Sequence, residues 1–555
     1  KAQGLVFAKR VLESVFADRT DSPLGVVIPA TVVVTTDVFD AFMSRNDLYD
    51  TALSDLPDDR IAIAFQQADF PVEHVGDLRS LVEGMRLPIA ARSSSLLEDA
   101  MFRPFAGVYE TKMIPNNQSD PGVRFQKLVE AIKFVYSSMF RKTALAYLEA
   151  AGGSVRDEKM AVVLQEVAGK RHGDRFYPEV SGVARSYNFY PAARAKPDEG
   201  VVDLALGLGK SIVDGGMCWT YSPAHPKAPP PFGSTSDLLK YTQLEFWAVN
   251  MGQPSRYDPI RDTEFLVKAD LKAADYDNTL RYVASTYDGR SDRLVPGAGA
   301  AGAHVLNFAP LLQTREIPLN DTIKDLLQAC EREAKADVEI EFALTLPGKQ
   351  DPHGRFAFLQ VRPMVVSTEV IEIDEKDLAT SGLLLSSKRA MGNGVVDTIR
   401  DVVYVRPDSF EPRHTPAVAA ELERINRGLA AGHAPYLLIG FGRWGSSDPW
   451  LGIPVVWGQI GGVKVLVEAT LPNMNIELSQ GSHFFHNLSS FGVSYLSVHH
   501  DETPGIDWGW LDTCEVVSDL DFVRHVRLDN VLTVKVDGRT GRGVVRYRDD
   551  ANGQR

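Results

Sequence analysis

Three stretches of this sequence combine residue types that could do chemistry. Residues 87–111 open with an apolar run, Pro88-Ile89-Ala90-Ala91, which reads as the end of a buried strand. Arg92, Ser93, Ser94 and Ser95 follow, then an acidic pair, Glu98-Asp99, and a Phe105-Ala106-Gly107 turn. Hydroxyls and backbone N–H groups after a strand can wrap an anion, and Arg92 can pair with its charge bidentately. The same residues also suit a solvated Ser-rich loop capping a helix at Glu98, and the local pattern leaves both uses open. The second stretch is a pair of strands. Period 2 puts Glu339 and Glu341 on one strand face, and Gln360 and Arg362 on one face of the next. A carboxylate beside a Gln oxygen suits Mg²⁺, which takes one or two protein oxygens and completes its shell with phosphate oxygens. An exposed hairpin face is the alternative. The third stretch is 480–493. Gly481 and Ser482 read as a turn and N-cap, setting His483 in the first turn of a helix. Free N–H groups and the helix dipole would there stabilise the extra negative charge of a phosphorylated imidazole. Three other uses stay open: a satisfied cap histidine, a metal site shared with His486 and His499-His500, and a module that no longer takes phosphate.

The elements that must position these residues follow from periodicity. Leu5, Val6, Ala8, Val11, Leu12 and Val15 mark an amphipathic helix just after Lys1. Residues 25–29 and 31–35 read as strands and 37–45 as a helix. Residues 125–151 read as one long amphipathic helix closed by Gly152-Gly153. Residues 160–167 form a β-branched strand ending in a polar hinge, Gln165-Glu166. Residues 222–313 read as an insertion, with a stiff Pro229-Pro230-Pro231 tract and its own small sheet from 265–268 and 279–284. Further on, 401–405 and 436–439 are strands and 415–431 is a helix. Gly442-Arg443-Trp444-Gly445 through Trp450 reads either as a ligand-holding loop or as a Trp-anchored turn. The fold class is therefore α/β (α+β).

At 555 residues the chain exceeds one ordinary core, and roughly two to four domains are expected. Apolar content of 44% and charged content of 24% belong to a globular protein. A net charge of −14 argues against non-specific nucleic-acid binding, whose affinity comes from neutralising phosphates. It leaves ATP open, since a few local cations suffice. Cys218, Cys330 and Cys514 are scattered without metal-type spacing, which fits a reducing, cytoplasmic setting. No apolar run approaches the roughly 20 residues needed to cross a bilayer, so no membrane partner is expected. The sequence leaves room for a homo-oligomer.

Residues 87–111 resemble the nucleotide-binding loop of the phosphoenolpyruvate synthase and pyruvate phosphate dikinase family. Arg92, Ser93, Ser94, Glu98, Asp99, Phe105, Ala106, Gly107, Glu110 and Thr111 fall in register with its pattern, while Leu96-Leu97 and 101–104 depart from it. Ser181-Gly182-Val183 is similar to the family's Ser-Gly-Val strand. Gly207-Leu208-Gly209 is similar to its Gly-Leu-Gly-Glu segment, with Lys210 reversing the charge of the Glu. Strand 337–343 resembles Asp-Ile-Glu-Trp-Ala, and Leu359-Gln360-Val361-Arg362-Pro363 resembles Leu-Gln-x-Arg-Pro. His483 with Gly492-Val493 is similar to the family's phosphohistidine motif, and 528–538 to that domain's ending.

The resemblance implies an ATP-grasp-type nucleotide-binding domain over 1–368, interrupted at about 222–313, then a linker over 369–379. A smaller α/β swivelling phosphohistidine-like domain would follow over 380–555. It implies that Lys1, Arg92, Ser93, Ser94, Gly107, Gln165, Glu166, Gly182 and Arg362 bind ATP, with Gln165 and Glu166 as the adenine hinge. It implies that Glu341 and Gln360 hold Mg²⁺, that His483 is the covalent nucleophile, and that Arg92 assists transfer. The activity implied is dikinase-type phosphotransfer from ATP to an acceptor (a small molecule, a glycan or a protein), giving AMP and phosphate. Upstream sequence is expected before Lys1, and the family's pyruvate-binding barrel is not expected. An ATP-binding regulatory or assembly protein without phosphotransfer fits the same nucleotide site, as does a ligase activating a carboxylate.

Overall fold

A computed structural model describes residues 1–15, 24–95, 98, 108–150, 154–188, 195–214, 217–228, 239, 242–252, 257–299, 302–314, 317–348, 353–364, 371–432, 434–446, 450–472, 474, 493–538 and 540–547. It divides into two compact units, the first being Lys1–Met101, Phe105–Leu145 and Ser154–Met364, and the second Phe102–Pro104, Ala146–Gly153 and Val365–Arg555.

The first unit centres on a six-stranded sheet in the order Leu24–Val27, Gly354–Pro363, Val338–Thr345, Val180–Arg185, Val201–Ala205 and Trp219–Tyr221. The first pair is parallel and the rest are antiparallel. One face is a hydrophobic core built on Val180, Ala184, Val202, Leu204, Ile340 and Phe342. Helix Leu319–Ala334 covers it, setting Leu319, Ile323, Leu326, Leu327 and Cys330 inward at helical spacing. Phe342 stacks on Phe356 with centroids 4.7 Å apart. Directly across the ladder stands Gly182, where a Cβ would lie 2.2 Å from the Phe342 ring.

Pairing between Val338–Thr345 and Gly354–Pro363 sets Glu339 opposite Arg362 and Glu341 opposite Gln360, then jumps to Phe342 opposite Phe358. Leu359 is the extra residue of a bulge. Strict alternation would put Gln360 and Phe358 on the same side; the bulge lets Phe358 join the core while Gln360 faces the other way.

A second, four-stranded antiparallel sheet runs Thr31–Val34, Ala161–Glu166, Ile89–Ser94, Thr111–Ile114. Helix Pro121–Ser138 packs beside it, with Tyr136 in an aromatic cluster with Phe39 and Phe42. The single helix expected over 125–151 is two, because this one stops at Ser138 and another spans Lys142–Ala150. Ser137 and Ser138 turn their hydroxyls back onto the Phe134 and Val135 carbonyls at the break.

The 222–313 region, expected to be an insertion, has a three-stranded sheet of Arg293–Pro296, Ala284–Asp288 and Ala303–Leu306. The strand expected at 279–284 begins only at Ala284, after a 3-10 turn over Leu280–Tyr282. Two other strands of this region, Glu245–Asn250 and Leu266–Asp270, instead extend a sheet with Arg175–Tyr177 and Lys170–His172. Buried Lys112 also ties it down, donating to the Glu264 carboxylate at 2.6 Å and the Asp258 carbonyl at 3.4 Å, over the Phe134 ring.

The second unit is built on one sheet, Leu383–Ser387, Arg542–Arg546, Val523–Asp537, Gly394–Val405, Tyr436–Phe441, Val463–Ala469, Ser494–Val498, Arg389–Met391, with Glu515–Asp519 added on Val523–Asp537. Its middle pairs are parallel. Helix Thr415–Ala431 makes the first crossover that parallel pairing requires, with Pro in its first turn. The stretch expected to be a linker is partly packed here: Ile373 and Leu378 are buried with Leu383 and Val544, and Arg546 bonds Asp377 at 2.8 Å. Trp444 is buried and donates its indole N–H to the Val467 carbonyl at 3.0 Å, so this part of the 442–450 stretch is a Trp-anchored turn. No described helix is long and apolar enough to cross a membrane.

Gly182→Ala should lower the urea midpoint by an amount worth about 1–3 kcal/mol, the usual cost of overpacking. Adding Phe342→Leu should recover part of it. An unchanged midpoint in Gly182→Ala would refute the tight fit.

Candidate nucleotide and metal site

The polar face of the six-stranded sheet is where the predicted residues meet. Arg92 comes from the Ile89–Ser94 strand of the neighbouring sheet and reaches across to it. Its Nη2 donates to Glu341 Oε2 at 2.6 Å and to Gln360 Oε1 at 2.7 Å. Its Nη1 donates to Gln165 Oε1 at 3.2 Å and to the Leu359 carbonyl at 3.3 Å. The bulge thus supplies two of these four acceptors, the Gln360 side chain it turns and its own Leu359 carbonyl. Glu341 and Arg92 are both mostly buried, which strengthens the pair relative to an exposed one.

A second cation lies on the serines. Lys1 Nζ donates to Ser93 Oγ at 3.1 Å and to Glu98 Oε1 at 2.7 Å. Ser93 also donates to Glu98 at 2.8 Å, and the Ala2 N–H donates to Ser94 Oγ at 3.2 Å. Burial lowers the Lys1 ammonium below its ordinary pKa, against the opposing pull of Glu98. Glu98 also accepts the Ser95 N–H at 3.1 Å, while Ser95 Oγ accepts the Glu98 N–H at 3.3 Å. The reciprocal bonds have the pattern of a capping box, as the Ser-rich-cap reading expects.

Two sets of contacts gather the expected residues: Arg92 with Gln165, Glu341 and Gln360, and, next along the same strand, Ser93 and Ser94 with Lys1. Arg362 stands one pleat along from Gln360, bonded to Glu339. Gly107 and His483 lie outside the described residues. Two expectations need correction. Gly182 faces the core beneath Phe342, on the side away from the charged groups, so it is a packing residue rather than a ligand contact. The backbone hinge expected at Gln165-Glu166 is paired within the sheet: Gln165 lies between Thr31 and Ala90 in the ladder, and its side chain accepts from Arg92 and donates to Thr31 Oγ1 at 3.2 Å. The Glu166 N–H is taken by the Ala30 carbonyl at 2.9 Å, and burial raises the Glu166 carboxyl.

Gly207 opens the Gly-Leu-Gly turn with φ +83, where a Cβ would lie 2.6 Å from the Trp247 carbonyl. Lys210 beyond it is ion-paired with Asp262 at 2.6 Å and Asp214 at 3.1 Å. Burial would lower this ammonium, but the two aspartates prevail and raise it. The site also holds members that period and motif did not single out, the Leu359 carbonyl and an Arg185–Asp203 pair next to Glu339, and it pairs Glu98, which the motif did mark, with Lys1. Glu98 was the one with a sequence signal, its spacing from Ser95.

The residues present fit a hard divalent cation. Glu341 Oε2 and Gln360 Oε1 converge on a single cationic atom, Arg92 Nη2, which stands in for the metal at hydrogen-bond distance. Among the described residues, no group of three or more His, Cys, Asp or Glu side chains is arranged to hold a metal. His499 and His500 are engaged elsewhere, with Asp501 and with Thr470.

Gln165→Leu should weaken ATP binding while leaving adenosine binding unchanged in calorimetry, because the side chain acts on Arg92. Equal losses for both ligands would show that the side chain does not act through Arg92.

The sequence matches the family described as pyruvate phosphate dikinase, AMP/ATP-binding domain, over residues 12–380. It is also similar to rifampicin phosphotransferase from Streptomyces sviceus, 28% identical over 206 residues. That alignment takes in 34% of this chain and 22% of the relative. The polar face described above lies within the matched region, apart from Lys1, and the chain belongs to the pyruvate phosphate dikinase AMP/ATP-binding family.

Proposed function

We propose that this chain is an ATP-dependent phosphotransferase that carries phosphate on His483 to an acceptor and releases AMP and phosphate. The observation that supports it most is the convergence of Glu341, Gln360, Arg92 and the Lys1–serine cluster on one polar sheet face. It offers two cations for phosphate oxygens and two oxygens for Mg²⁺. Bound there, Mg²⁺ would neutralise charge on the phosphates. Arg92 and Lys1 would orient the chain of phosphates, and the His483 imidazole would attack at the β-phosphorus. The α–β bridge then breaks and AMP leaves with the bridging oxygen. Water takes the terminal phosphoryl group as phosphate, and an acceptor hydroxyl takes the one left on nitrogen, giving up its proton. The relative's name points to a small-molecule acceptor for that enzyme; here the acceptor is a small molecule, a glycan or a protein. The 380–555 region would be the phosphohistidine-like module.

ATP labelled at the β-position should leave acid-labile, base-stable label on the protein, and His483→Ala should abolish it while keeping ATP affinity. Tight ATP binding with no label in the unmodified chain would defeat the transfer reading. For the metal, Arg92→Ala should weaken ATP binding by about 1.5–3 kcal/mol through loss of charged hydrogen bonds. The same change should tighten binding of Mn²⁺ alone, read by paramagnetic resonance, because the guanidinium no longer competes for Glu341 and Gln360. Weaker Mn²⁺ binding in Arg92→Ala would overturn this arrangement.

A further inference from the structure

Beside the site, on the same face of the sheet, four charged side chains form a chain across four neighbouring strands. Arg362 Nε donates to Glu339 Oε1 at 2.7 Å, and its Nη2 donates to the same oxygen. Arg185 Nε donates to Glu339 Oε2 at 2.7 Å, and Arg185 Nη1 to Asp203 Oδ2 at 2.9 Å. Thr220, on the edge strand, closes the line by donating to Asp203 Oδ1 at 2.6 Å. The Glu339 and Asp203 side chains are 2% and 1% exposed, Arg362 8% and Arg185 15%. Two cations and two anions cancel, so the chain is neutral as a set. Burial works against the charged form of Arg185, but Glu339 and Asp203 hold its pKa above the ordinary value.

Stability does not explain such a row. Neutral, well-packed side chains of similar volume commonly do as well or better, whereas losing one member strands its neighbour. What the row does is fix a direction. Among the described residues Arg362 donates to Glu339 alone, which occupies Nε and Nη2 and leaves Nη1 over. Glu339 cannot turn, since its second oxygen is held by Arg185, and Arg185 is held in turn by Asp203. The Arg362 end of the row stands one pleat from Gln360, within range of the charge at the start of the chain.

We propose that Asp203, Arg185 and Glu339 are positioning residues that aim the Arg362 guanidinium at the phosphates of the bound nucleotide. The inference rests on the nucleotide-site reading above; it adds Arg185 and Asp203, which no sequence motif marks, and gives Glu339 a role through Arg362 and not on the ligand. Outer partners of this kind typically change affinity by about 10–100-fold.

The test compares ATP with adenosine in calorimetry on the full chain. Arg185→Gln should weaken ATP about tenfold or more and leave adenosine unchanged. In an Arg362→Met background the same substitution should have no further effect, since the group it aims is gone. Arg185→Lys, which keeps one charged bond, should recover part of the loss. If Arg185→Gln does not fold, the neutral pair Arg185→Met with Asp203→Asn serves in its place with the same expected readings. Equal losses for ATP and adenosine, or the same ATP loss with and without Arg362, would show a merely structural row and overturn the inference. If Arg362→Met weakens ATP but Arg185→Gln does not, the positioning fails while the phosphate site stands. If Arg362→Met itself leaves ATP unchanged, the role of Arg362 in the phosphate site falls, and the inference with it.

Discussion

The site depends on how one antiparallel pair of strands is registered. Val338–Thr345 and Gly354–Pro363 could bury their apolar residues only by keeping Ile340, Phe342, Phe356, Phe358 and Val361 on one face. With uninterrupted alternation, that demand would have sent Gln360 into the core beside Phe358. One extra residue, Leu359, resolves the conflict. The core then closes behind, four polar side chains stand in front, and a carbonyl released from the ladder accepts from Arg92. A one-residue slip would reverse every one of these faces, so the hydrophobic core is what enforces the chemistry in front of it.

Much of this was legible in the sequence. The period-2 placement of Glu339 with Glu341 and of Gln360 with Arg362 is what the sheet contains, but the strand expected to end at Ala91 runs on through Arg92-Ser93-Ser94, which pair with Val163, Val162 and Ala161. The bulge was not legible, since a single extra residue leaves no compositional mark. The Arg185–Asp203 pair was not either: two charged residues 18 positions apart in strand-like runs announce themselves as partners only once the strands are paired. The helix at 125–151 misled because its apolar spacing continues through the break, while the serines that stop it are individually unremarkable. Gly182 and Gln165 show a different limit. A motif can mark a position without saying which way it faces, and here one serves the core and the other steadies Arg92.

Charge is handled in the same way throughout the first unit. Arg92, Lys1, Lys112, Arg185 and Lys210 each meet a carboxylate from a distant part of the chain. In a chain of net charge −14, these cations are thereby held at fixed places by carboxylates from elsewhere in the sequence.

Lys210 limits how parts could be exchanged between relatives. Its ammonium is balanced by Asp214 on its own turn and by Asp262, which the 222–313 region contributes. That same region is locked down by Lys112 through Glu264, two residues further along. The Gly-Leu-Gly turn and the 258–264 segment therefore form one transplantable block. A chimera that brings in a glutamate-bearing turn without also changing residue 262 would set carboxylates against each other in a half-buried place, and the graft would carry its own defect.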